Sequence, residues 1–144
     1  MPSAPRQSSD AFRRKFVLNN QREEIEQAER SLLQAVEQQQ FDTASCFAIR
    51  LALEEALSNA FKHGNKNDPR KKVELACHVD AQVVEIDIMD EGEGFDPNSV
   101  PDPTAEENIE IPAGRGLTLI RAFMTEVEIH PPGNRVRMKY VRPA

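Results

Sequence analysis

Residues 12–144 predict an α/β (α+β) two-layer sandwich, a mixed, largely antiparallel sheet with helices on one face. Three observations predict it. The hydrophobic period is helical over residues 20–63 and becomes two from residue 73. Strands come in adjacent pairs joined by tight turns, which makes hairpins rather than crossovers. The element order is strand, helix, helix, two strands, long loop, helix, two strands, and that order sets the helices on a single face.

The elements follow in turn. Residues 1–11, "MPSAPRQSSDA", are polar and proline-containing and read as a disordered tail. In "FRRKFVL" (12–18), Phe12, Phe16 and Leu18 share parity, as in a strand with one buried face. Asn19 or Asn20 is placed to N-cap a helix running to about Gln40. Its stripe is Ile25, Ala28, Leu32 and Val36. Asp42 or Thr43 opens a second helix, "ASCFAIRLALEEALSNAFKH", with Phe47, Leu51 and Phe61 as apolar positions and Gly64 as the residue that ends it. "VELACHV" and "VVEIDIM" alternate about a turn at Asp80–Gln82, giving a hairpin with one buried face. "LTLIRAFM" (117–124) reads as a short helix, and "EVEIHPPGNRVRMKYV" as a last hairpin turned at Pro-Pro-Gly-Asn. Arg135, Arg137 and Lys139 alternate on its final strand as a solvated face with no ligand assigned. The 144 residues fit one domain, 12–144, and show no internal repeat.

Composition narrows the function. A net charge of −6 gives no clustered basic surface for phosphate contacts, so direct nucleic-acid binding is not expected. No apolar run approaches the length of a membrane span, and the N-terminus has no apolar signal region. Cys46 and Cys77 stand alone and far apart, as buried thiols of a reducing compartment do. His63, His78 and His130 lack metal-ligand spacing. Together these place the protein in the cytoplasm, away from membranes.

Two features need a function. Glu55, Asn59 and His63 recur every four residues, so they lie along one polar strip of the second helix. A long stretch without periodicity, about 96–113, sits where a compact domain rarely has one, and reads as disorder or as a lid. It is framed by "DEGEGFD", with Gly92 and Gly94 after a strand-ending Asp90, and by "GRG" before a helix. Free N–H groups at that helix start would face an anion, and a phosphate chain between it and the "LSNAFKH" helix would account for both glycine clusters. Read singly, each residue has a plainer meaning. Glu55 fits a solvated helix carboxylate, as Glu54 does. Lys62 and His63 fit cations against the helix C-terminal dipole. Asp90 fits a turn, and Arg115 fits an ion pair with a lid carboxylate such as Glu110.

In order, "EALSNAFKHG" (55–64), "DEGEGF" (90–95) and "GRGL" (114–117) resemble the N box and the two glycine boxes of the GHKL (Bergerat-fold, HATPase_c) superfamily. Over about residues 12–141 the chain is similar to the stand-alone RsbW-type anti-sigma-factor serine-protein kinases. The resemblance implies ATP and Mg²⁺ as cofactors. It implies Glu55 as the general base toward the attacking serine and Asn59 as the Mg²⁺ ligand. Lys62 would meet phosphate and His63 would lie beside the nucleotide. Asp90 would accept from the adenine amino group, with Gly92 and Gly94 admitting the base. Gly114, Arg115, Gly116 and Leu117 would line the triphosphate. The implied partners are a sigma factor, a STAS-domain antagonist as phosphoryl acceptor, and a second copy of the chain through the first strand and helix. Asn134 stands where many relatives carry a nucleotide-holding Thr. Two other functions fit the same boxes: a non-catalytic ATP-binding switch, and a stressosome-like kinase that binds no sigma factor.

Overall fold

The computed structural model describes residues 11–92, 112–130 and 134–143. The expected tail, apart from Ala11, and residues 96–111 of the expected lid lie outside the described residues. Five strands, β1 (Phe12–Leu18), β2 (Val73–Val79), β3 (Val83–Met89), β4 (Glu126–His130) and β5 (Arg135–Val141), form one sheet in the order β1-β2-β3-β5-β4. All four neighbouring pairs are antiparallel. The helices are α1 (Arg22–Gln38), α2 (Thr43–Asn59), continued by a π-helical turn at Ala60–Gly64, and α3 (Pro112–Phe123).

The register explains why one face is the core. Phe16, Leu75, Ile88, Val136 and Ile129 are aligned across all five strands, one apolar row from edge to edge. Alternation puts Val73, Leu75, Cys77 and Val79 inward on β2, and Val84, Ile86 and Ile88 inward on β3. Against this face α1 lays the predicted stripe, with Ala28, Leu32 and Val36 buried and Ile25 packed at its margin. α2 buries a wider face, Ile49, Ala52, Leu53, Ala56 and Leu57, because it has α1 on one side and α3 on the other as well as the sheet beneath. Each fully buried Leu or Ile contributes about 1.5–3 kcal/mol of transfer free energy. Phe47 departs from expectation. It is 49% exposed, its ring meeting the edge of Phe123 at 6.1 Å and the Arg50 guanidinium at 5.9 Å.

The helix ends are partly as expected. Asp42 caps α2, its Oδ1 accepting from the Ser45 N–H at 2.7 Å. The cap position of α1 is Gln21, not Asn19 or Asn20, and no side chain caps it. Asn19 is used differently: its N–H donates back to Glu24 Oε1 at 2.9 Å, pinning the strand-to-helix corner from inside the helix. At the β2–β3 turn, Asp80 Oδ1 accepts from the N–H groups of Gln82 and Val83.

The outer sheet face carries charge. Arg135 forks onto Asp87 with Nε–Oδ1 2.9 Å and Nη2–Oδ2 2.6 Å, Arg137 stands opposite Glu128, and Lys139 opposite Glu126. Among the described residues no helix is long and apolar enough to cross a membrane.

Glu29, on α1 facing α2, is half-buried. Desolvation first, then the Glu54 and Glu26 carboxylates, push its pKa up to about 7 against a smaller opposing effect of Arg50. A carboxyl whose folded pKa is raised stabilises the fold fully below its unfolded value, near 4.5, and loses that contribution as pH rises to about 7. Glu29→Gln is therefore expected to raise the thermal midpoint by about 2–4 °C at pH 8, equivalent to roughly 1 kcal/mol after solvent screening. At pH 4 melting curves should show no gain. An equal gain at both pH values would contradict the assignment.

Candidate functional site

The site lies where the end of α2 meets the loop after β3. An i→i+5 bond, Asn65 N–H to the Ala60 carbonyl at 2.8 Å, closes the last turn of the N-box helix as a π-turn. Such single π-turns favour functional positions because they widen the helix locally. A turn of more than four residues leaves His63 short of the place over Asn59 that a regular α-helix would give it.

Gly64 ends the helical run as the sequence predicts, but as its last helical residue and not as the residue after it. It lies within the π-turn, and the cap after it, Asn65, has φ −82°. Its reason is contact: a Cβ on Gly64 would stand 2.2 Å from Asp90 Oδ2. Gly92 is constrained in the same way, since a Cβ there would stand 2.0 Å from the Gly64 carbonyl oxygen. The two glycines are thus a matched pair that lets the N box and the Asp90 loop touch backbone to backbone. Gly92→Ala is expected to force these segments apart, costing about 1–3 kcal/mol of stability, readable as a lower urea midpoint. An unchanged midpoint would show that the loops yield without cost.

Asp90 sits in this contact. Burial pushes its carboxyl pKa above the ordinary aspartate value, opposed by the Gly92 N–H donating to Oδ1 at 2.7 Å and by the charge of Lys71. Among the described residues Oδ2 accepts no hydrogen bond. The carboxylate therefore keeps one acceptor for a donor from outside, beside a cradle that any Cβ would fill.

Glu55 and Asn59 are both partly buried on α2, and among the described residues neither has a hydrogen-bond or ion-pair partner. They lie one turn apart, about 6 Å along the axis. A lone amide oxygen with no cage of acidic groups around it among the described residues fits a hard cation that takes its other ligands from water and phosphate. His63 is partly buried, and desolvation followed by the Lys62 charge lowers its pKa. Both effects disfavour the charged imidazole, and so weaken the reading of His63 as a cation for the helix dipole. Lys62 is exposed. With Ser58, Glu54 and Asn67 it lines a groove of about 630 Å³ on the α1 side of the helix.

Helix α3 packs on α2 and brings the last box alongside. Its first residue is Pro112, so Gly114, Arg115 and Gly116 lie inside its opening turns, not before them as the sequence suggests. Pro at a first helical position gives up no useful N–H, so the free N–H groups of this turn begin with residue 113. Leu117 is buried. Gly94 and the lid residues up to 111 lie outside the described residues.

Two asparagines complete the arrangement. Asn134 donates from Nδ2 to the Asp90 carbonyl at 2.9 Å, and its own carbonyl accepts the Asp90 N–H at 2.9 Å. Asn65, 1% exposed, holds Glu91 and Lys72. The only trace of Asn65 in the sequence is the turn chemistry of "HGNKNDP", which marks a loop but not a buried amide.

Residues 18–140 match the histidine kinase-like ATPase domain family. An anti-sigma F factor of Oceanobacillus iheyensis is 35% identical over 83 residues, 56% of this chain and 57% of that one. The anti-sigma F factor of Geobacillus stearothermophilus is 31% identical over 98 residues, 67% of each chain. The serine-protein kinase RsbW of Oceanobacillus iheyensis is 29% identical over 96 residues, 62% of this chain and 61% of that one. The matches to these relatives thus span 57–67% of their length. A crystal structure of the RsbU and RsbW domains of Rv1364c from Mycobacterium tuberculosis superimposes with TM-score 0.60 at 16% identity, over 92% of this chain and 34% of that one. That likeness establishes a shared fold.

Proposed function

We propose, for a chain that belongs to the histidine kinase-like ATPase domain family, that it is an ATP–Mg²⁺-dependent serine-protein kinase that also acts as an anti-sigma factor. The observation that carries this reading is the contact between Gly64 and Gly92, which sets the Asp90 carboxylate beside the helix carrying Glu55 and Asn59, whose side chains have no partner among the described residues. The relatives named as anti-sigma F factors and as a serine-protein kinase support it.

In this reading Asp90 Oδ2 accepts from the adenine amino group, and Gly92 and Gly94 admit the ring. The Asn59 amide oxygen holds the metal. Gly114, Arg115, Gly116 and Leu117 line the phosphates, with His63 beside the nucleotide and Lys62 as the cation that meets phosphate. Glu55 takes the proton of the attacking serine hydroxyl from a position one turn behind the metal ligand. Bound ATP–Mg²⁺ supplies the phosphoryl group and the charge that offsets its negative oxygens, so the residues' work is positioning and a modest proton transfer. The acceptor is a serine of a STAS-type antagonist. The partners are that antagonist, a sigma factor, and a second copy of the chain, in the cytoplasm.

The test is incubation with γ-labelled ATP, Mg²⁺ and a STAS-domain protein from the same genome. Label on a serine of that protein is expected. Tight ATP binding with no labelled acceptor would favour a non-catalytic nucleotide switch, and labelling without sigma-factor capture would favour a kinase of a stressosome-like pathway.

A further inference from the structure

Asn65 has no part in the chemistry proposed above, yet it is one of two polar side chains fully buried among the described residues. Both ends of its amide are engaged. Oδ1 accepts from the Glu91 N–H at 2.7 Å, and Nδ2 donates to the Lys72 carbonyl at 3.0 Å. From the opposite side, Asn134 Nδ2 donates to the Asp90 carbonyl at 2.9 Å. The Asp90 carbonyl and the Glu91 N–H belong to one peptide unit, which is planar and rigid. That unit is therefore gripped at both ends, by one side-chain amide from the N box and one from the start of β5. The Asp90 N–H is held as well, by the Asn134 carbonyl at 2.9 Å. With the peptide groups on both sides of its Cα fixed, the direction in which Asp90 projects its carboxylate is fixed too.

The chain around Asn65 is shaped to keep this amide in place. Lys66 and Asn67 adopt φ of 54° and 58°, a left-handed conformation that a side chain disfavours. The Asn67 N–H to Phe61 carbonyl and Asp68 N–H to Asn65 carbonyl bonds, 2.8 and 3.0 Å, close the loop that holds them there. Strain kept next to a pocket by surrounding bonds is characteristic of a positioned group. Glu91 adds a third tie, its Oε2 accepting from the Lys72 N–H at 2.7 Å.

We propose that Asn65, together with Asn134, is a positioning residue for base recognition: the two amides orient the Asp90–Glu91 peptide so that the Asp90 carboxylate meets an amino group at the adenine position and not the carbonyl of guanine. This rests on the nucleotide reading above and adds to it the residues that set base selectivity.

The experiment is titration of ATP–Mg²⁺ and GTP–Mg²⁺ separately into the full chain, as wild type, Asn65→Ala and Asn134→Ala, each paired with a thermal melt. Wild type is expected to prefer ATP. Each variant should lose about tenfold in ATP affinity, the consequence of one hydrogen bond moved out of line. GTP affinity should stay nearly constant, so the ATP-to-GTP ratio falls. If Asn65→Ala does not fold, Asn134→Ala, which is only partly buried, carries the same comparison. A lower melting temperature with an unchanged ratio would overturn the proposal and leave the amides purely structural. Wild type that binds neither nucleotide would instead remove the nucleotide reading on which the proposal stands.

Discussion

Glu55→Ala is expected to lower the rate of phosphoryl transfer to the serine acceptor by about 10²–10⁴-fold, the usual contribution of a positioned base, with ATP affinity close to wild type. The split follows from its place. Glu55 is partly buried on α2 one turn before Asn59, and no described residue neutralises or anchors it. A carboxylate so placed lies near a metal-bound phosphate without occupying the metal. Its loss therefore removes a proton acceptor and leaves the nucleotide contacts in place, which single-turnover kinetics alongside equilibrium binding would resolve. Transfer at the wild-type rate would move the base elsewhere. A parallel loss of binding would make Glu55 part of the pocket wall.

Asp90→Asn should weaken ATP binding by roughly 5–150-fold, equivalent to the 1–3 kcal/mol of one unmatched buried group. The geometry leaves the amide no good orientation. If its oxygen keeps the Gly92 N–H, its NH₂ faces the amino group of the base. If it flips, the NH₂ faces the Gly92 N–H instead. The same carboxylate gives a pH dependence. Because burial raises its pKa, the acceptor is lost by protonation at a higher pH than for an exposed aspartate. ATP affinity should thus decline on acidification while Asp90→Asn, already without the charge, shows a flatter profile. Equal affinity of wild type and variant at pH 7.5 would place the base away from Asp90.

The fold was largely legible because its signals are local. The switch of hydrophobic period at Val73 and the turn at Asp80–Gln82 locate the hairpin, and the alternation of Val84, Ile86 and Ile88 identifies its buried face. The Ala28–Leu32–Val36 stripe locates α1 in the same way. What was not legible depended on contacts distant in sequence. Gly64 looks like a helix terminator from its neighbours alone, and only the approach of Asp90, 26 residues later, reveals why a Cβ is excluded. The π-turn likewise leaves no mark on the sequence, and it changes where His63 falls relative to Asn59. Phe47 reads as core by its type but lies at the rim, since α2 turns its buried face toward Ile49, Ala52 and Leu53. Asn134, noticed as an unusual residue for a nucleotide contact, has one amide donor committed to the Asp90 backbone.

Calorimetric titration of ATP–Mg²⁺ into wild type and Asn59→Ala, repeated with EDTA, tests the central claim that the N box and the Asp90 loop form a nucleotide–metal pocket. Metal-dependent ATP binding by wild type is expected, with Asn59→Ala losing that dependence and retaining the weaker metal-free binding. No nucleotide binding by wild type, or the same metal dependence in both proteins, would contradict it.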